Sequence, residues 1–108
     1  MAGFFIHLIV GQAFALGYVI CFVLLGRATW WVGGLLGLLH GAVALTVLIP
    51  MLVGVHPRMA SNRAGPASTA VLEPPGLLGL NYGAQTPVVA IAAHRAYGIA
   101  LGLLLEAR

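Results

Sequence analysis

This sequence predicts an all-α integral membrane protein, a three-helix bundle built from a helical hairpin plus one further helix, with a long proline-rich loop. Three observations predict it. Hydrophobic residues make up 61% of the 108 and charged residues only 6%, whereas soluble domains carry about 25% charged residues. Three apolar runs, at about 3–25, 29–55 and 87–105, each approach or exceed the roughly 20 helical residues that cross a hydrocarbon core. Five of the six prolines lie at or beside residues 57–86, so the chain breaks between the second and third runs. At this length one membrane domain, 1–108, accounts for the whole sequence.

The first run is interrupted only by His7 and Gln12. It does not read as a secretory signal: no Lys or Arg precedes it, and its apolar stretch exceeds the usual 7–15 residues. It is expected to be a retained helix. The link Gly26-Arg27-Ala28 is too short for anything but an antiparallel hairpin. Thr29 is placed to cap the second helix, with Trp30 and Trp31 at the level of the membrane interface. Pro50 should kink that helix or end its straight part early, because a proline lacks the N–H and its ring collides with the carbonyl four residues earlier. His56-Pro57-Arg58 then stops it.

Residues 57–86 are expected to be an extramembrane loop, too long for a simple connector. Its second half, Pro74 to Gly83, is apolar enough to lie on a membrane surface or against a partner. Thr86-Pro87 marks the start of the third helix, a cap followed by proline at the first helical position. Arginine placement leans towards a cytoplasmic N-terminus, with Arg58 and Arg63 on its side and Arg27 and Arg108 on the other.

Helices in lipid associate through small residues that let backbones approach. Gly33, Gly37 and Gly41 recur at spacing four in the second helix, with Ala44 extending the face. Gly98 and Gly102 do the same in the third, and Gly3, Gly11 and Ala15 share a side of the first. The sequence predicts a tight bundle with glycine ridges on all three helices, the second helix's ridge facing the first. At 1.5 Å per residue, Gln12 and Thr46 lie roughly level, so a hydrogen bond across the hairpin is expected. His40 and His94 also come out level, at roughly 16 and 18 Å from the surface opposite the loop. His7 and His56 fall near the loop-side interface.

Arg95 sits roughly 12 Å into the third helix by helical rise, where an intramembrane charge is costly and usually functional. Neither Glu73 in the loop nor Glu106 at the far end is at its depth. It is expected either to reach up to the headgroups or to meet a counter-charge on another chain, a lipid phosphate or a cofactor carboxylate.

The absent chemistry narrows the function. There is no Asp and no Lys, both Glu fall outside the apolar runs, and the only serines, Ser61 and Ser68, are in the loop. No acid–base pair or nucleophile triad can be assembled, and no glycine-rich phosphate loop follows a strand; no enzymatic activity is expected. Five scattered Arg form no stripe for nucleic acid. Cys21, alone, reads as a small core hydrophobe. Metal-ligand spacing such as His-x-x-x-His is missing.

The segment Ala93-His94-Arg95-Ala96-Tyr97-Gly98-Ile99-Ala100-Leu101-Gly102 resembles the last helix of uncharacterised small bacterial inner-membrane proteins ending in His-x-x-Tyr-Gly-x-x-x-Gly. The resemblance covers about ten residues and implies a multi-pass bacterial inner-membrane protein without implying an activity. Arg used without Lys agrees with a GC-rich genome.

The leading expectation is therefore an accessory subunit of a larger membrane assembly, respiratory or photosynthetic, packed against lipid, pigment or neighbouring subunits through Arg95, His7, His56 and Gln12. A second is a haem- or pigment-binding electron carrier using His40 and His94. A third is a homo-oligomeric pore lined by Arg95, His40 and Gln12, though side chains at different depths make a poor continuous pathway.

Overall fold

The structure, a computed structural model, describes residues 1–60 and 72–106. Arg63 and Arg108, used above to judge orientation, lie outside the described residues, as do Ser61 and Ser68. Three helices are long and apolar enough to cross a membrane: α1 (Ala2–Leu25), α2 (Trp30–Val55) and α3 (Thr86–Glu106). Their bounds fall within about a residue of those read from the sequence. Among the described residues there is no strand, only an isolated parallel bridge between Met59 and Leu72.

The chain divides into two compact units, Met1–Gly37 with Arg95–Arg108, and Leu38–His94. In the first, α1 ends in a left-handed turn at Gly26 (φ 67°), whose N–H reaches back to the carbonyls of Phe22 and Val23. A side chain at that φ would press on its own carbonyl, which is why glycine ends the helix. Three residues later the Thr29 hydroxyl accepts the Val32 N–H at 3.4 Å, the cap the sequence predicts. The core of this unit is Tyr18, Phe22 and Val32, with Ala28, Leu36, Tyr97, Leu101 and Leu105 against it. The Tyr18 and Tyr97 rings meet edge to face, with centroids 5.5 Å apart.

Residues 1–10, which include the first nine of α1, are all exposed. A Cβ built on Gly3, Gly11 or Gly17 would meet nothing within 4 Å. Gly3 and Gly11 therefore allow no backbone approach of the kind the α2 glycines make, among the described residues. In its most apolar window α1 is only 11% buried.

In the second unit α2 does not break at Pro50. It widens to a π turn over Ala44–Leu48, closed by the Ile49 N–H on the Ala44 carbonyl. The wider turn comes directly before the proline ring that would collide with the Thr46 carbonyl, so the helix runs on to Val55. The Thr46 hydroxyl, expected to meet Gln12, instead donates to the Ala42 carbonyl at 2.7 Å. A hydroxyl in an apolar helix takes the carbonyl one turn back because it is always within reach.

The loop's second half packs back on its own chain. Residues Leu77–Tyr82 form a 3-10 turn that packs on the α2 stretch from Ala44 to Val55. It is held by its own chain. Asn81 Nδ2 donates to the Pro74 carbonyl at 2.9 Å, and the Tyr82 hydroxyl donates to the Glu73 carbonyl at 2.8 Å. Pro75 is fully buried. The turn uses left-handed backbone at Gly76, Leu78 and Gly79, and a Cβ on Gly79 would come 2.9 Å from Thr86 Cγ2.

Candidate functional site

The glycines of α2 and α3 form a backbone seam within the first unit. A Cβ built on Gly33 would fall on the Gly98 carbonyl, and one on Gly98 would fall on the Gly33 carbonyl and lie 3.1 Å from Gly37 Cα. A Cβ on Gly102 would strike the Thr29 carbonyl and lie 3.0 Å from Trp30 Cα. The ridge of α2 thus meets α3, not α1 as expected. The reason is reciprocity: the closest approach needs small residues on both partners, and only α3 offers Gly98 and Gly102 at the matching spacing. At the start of the seam the Glu106 carboxylate accepts the Trp30 N–H at 3.3 Å, so the last residue of α3 satisfies an orphan donor of α2.

Within the second unit Gly41 plays the same part. A Cβ there would lie 3.0 Å from Ile91 Cδ1 and 3.3 Å from His94 Cβ. This approach brings His40 and His94 together, ring centroids 4.6 Å apart at an interplanar angle of 76°. His94 Nδ1 lies 2.7 Å from the Ala90 carbonyl. A carbonyl only accepts, so Nδ1 carries a proton in this contact.

That geometry bears on the haem reading. With metal–imidazole bonds of about 2 Å, two axial imidazoles on one iron stand about 6 Å apart, centroid to centroid. The observed 4.6 Å leaves no room for a porphyrin between these rings, so the pair as arranged does not fit a bis-histidine haem. Among the described residues no group of three or more His, Cys, Asp or Glu is placed to hold a metal ion.

Arg95 is exposed, and its Nε lies 3.9 Å from the position a Gly34 Cβ would take. Gly34, absent from the sequence reading, leaves room for the guanidinium stem. Among the described residues no carboxylate or carbonyl pairs with Arg95. Gln12 and His7 are likewise exposed, without hydrogen-bond partners among those residues. His56 is half-buried and works locally: its Nδ1 accepts the Arg58 N–H at 3.2 Å in the turn that ends α2. Cys21 is a half-buried free thiol.

The sequence reading passed over Tyr97 as a site residue. Its hydroxyl donates to the Gly11 carbonyl at 2.7 Å, tying α3 to α1 across 86 positions of sequence. The signal was present, since a phenol inside an apolar run needs a partner. Compared with known protein families, with curated proteins and with solved structures, the chain matches none.

Proposed function

We propose that this chain is a small non-catalytic subunit of a larger membrane assembly, spanning the bacterial cytoplasmic membrane three times and joining its neighbours through polar side chains on the outer faces of its helices. Arg95 carries the reading. It lies in the middle third of an apolar helix, exposed, with no partner among the described residues, and an intramembrane cation needs an anion or a route to water. Gln12 and His7 on the exposed side of α1 point the same way. The sparse burial of all three helices, 11–17% of their most apolar windows, leaves broad surface for lipid and neighbouring subunits.

Extraction in a mild detergent, followed by identification of the polypeptides that co-purify, tests this. A reproducible stoichiometric partner supports the subunit reading; a chain that always purifies alone, or only with copies of itself, overturns it. An electron carrier holding one haem between His40 and His94 has less support, given the 4.6 Å ring separation. A visible absorption spectrum of the purified material separates the two.

A further inference from the structure

At the end of α1 the left-handed Gly26 and the bond from the Arg27 N–H to the Phe22 carbonyl (3.2 Å) hold Arg27 beside Trp31. Its guanidinium carbon stands 6.0 Å from the ring centroid, a cation–π distance that orients the planar group without using its N–H donors. Arg27 is exposed, and its guanidinium makes no hydrogen bond or ion pair among the described residues. Glu106, the described carboxylate at this end of the helices, accepts the Trp30 N–H instead. Arg27 lines a shallow groove of about 310 Å³, whose other walls are formed by Val19, Phe22 and Val23 of α1 and Leu105 of α3. One cation with free donors thus lines an apolar furrow, next to Trp31.

We infer that this groove binds an acidic phospholipid, the phosphate on the Arg27 guanidinium and one acyl chain along Val19, Val23 and Leu105. The ligand must be anionic at one end and apolar along its length, which a free phosphate is not. A planar guanidinium presents paired donors to a phosphate, and tryptophans settle at headgroup depth. A zwitterionic lipid brings its own cation to a site that already holds one, so an acidic headgroup is preferred. The inference rests on the membrane-spanning part of the proposed function and is independent of the subunit role.

The test is to reconstitute the protein in nanodiscs of equal phosphatidylglycerol and phosphatidylcholine with matched acyl chains, then count retained lipids by native mass spectrometry after mild detergent release. The wild type retains phosphatidylglycerol preferentially. Arg27→Ala lowers that preference about fivefold, the effect of one basic residue near a membrane surface, and Arg27→Lys keeps part of it. Val23→Trp fills the groove, leaves the charge in place and lowers retention of both lipids. Arg58→Ala, outside the groove, changes nothing. Circular dichroism confirms that each variant keeps its helices. Unchanged phosphatidylglycerol retention in both Arg27→Ala and Val23→Trp overturns the site alone, whereas a protein that never enters nanodiscs overturns the spanning reading with it.

Discussion

The hydroxyl of Tyr97 donates to the main-chain carbonyl of Gly11 at 2.7 Å, and the Tyr97 ring stands edge to face with Tyr18 at 5.5 Å. These two contacts are a specific tie between a first helix that is largely uncovered and the third helix. In lipid, where apolar burial between helices drives little, such a bond stands out.

Tyr97→Phe keeps the ring and removes only the hydroxyl, so it should lower stability in mixed micelles by about 0.6–1 kcal/mol. Tyr97→Ala also loses the ring against Tyr18 and should cost about twice as much or more. SDS titration followed by circular dichroism reads both; equal losses would place the whole effect in the hydroxyl.

Gly33→Leu and Gly98→Leu put a branched side chain where each glycine now meets the other's backbone carbonyl. Overpacking of this kind costs about 1–3 kcal/mol or more when backbone must move. Gly54→Leu adds the same bulk where a Cβ meets nothing within 4 Å and should be nearly neutral. Cross-linking of cysteine pairs between α2 and α3 measures whether the seam has opened.

The Glu106 carboxylate at the Trp30 N–H should act as a remote cap for α2. Glu106→Ala should cost about 0.5–1 kcal/mol, while Glu106→Gln, which keeps an acceptor oxygen, should cost less. The same SDS titration checks the order, and identical behaviour of the two variants would remove the cap.

Arg95 distinguishes a charged partner from the headgroups. A cation that only reaches the interface is replaceable by Lys, whereas one held bidentately by a carboxylate or phosphate is not. On the proposed subunit reading, Arg95→Lys should therefore weaken co-purification with a host assembly and Arg95→Ala abolish it, because a buried charge left without its partner costs about 3–5 kcal/mol. If both variants co-purify like the wild type, the argument for a charged partner is lost.

The 3-10 turn over Leu77–Tyr82 should depend on Gly79. Gly79→Ala forces a side chain into left-handed backbone (φ 72°) and against Thr86 Cγ2, a strain of about 1–2 kcal/mol. Faster cleavage of this segment in limited proteolysis is the expected readout; Leu78→Gly, at φ 53°, relieves the same kind of strain and should not accelerate it.

The amino-acid sequence by itself determined the helices and their ends, because those depend on local chemistry: unbroken apolar length, the Thr29 hydroxyl, glycine at the left-handed Gly26, proline after Thr86. It also set the level of side chains along each helix, since the rise per residue is fixed, and on that ground His40 and His94 were expected to be level before their rings were seen 4.6 Å apart. Only the tertiary structure decided rotation about each helix axis. In a nearly all-apolar helix no polar face shows which side turns inward, and lipid covers an apolar side as well as a neighbouring helix does. That freedom is why the ridge of Gly33 and Gly37 could meet Gly98 of α3 rather than α1, and why a Cβ on Gly3 or Gly11 would meet nothing within 4 Å among the described residues. It is also why the Thr46 hydroxyl turns back to Ala42. The fold of residues 74–83 was equally beyond local reading, because its left-handed Leu78 and buried Pro75 are held in place by contacts with α2 and by hydrogen bonds that no periodicity announces.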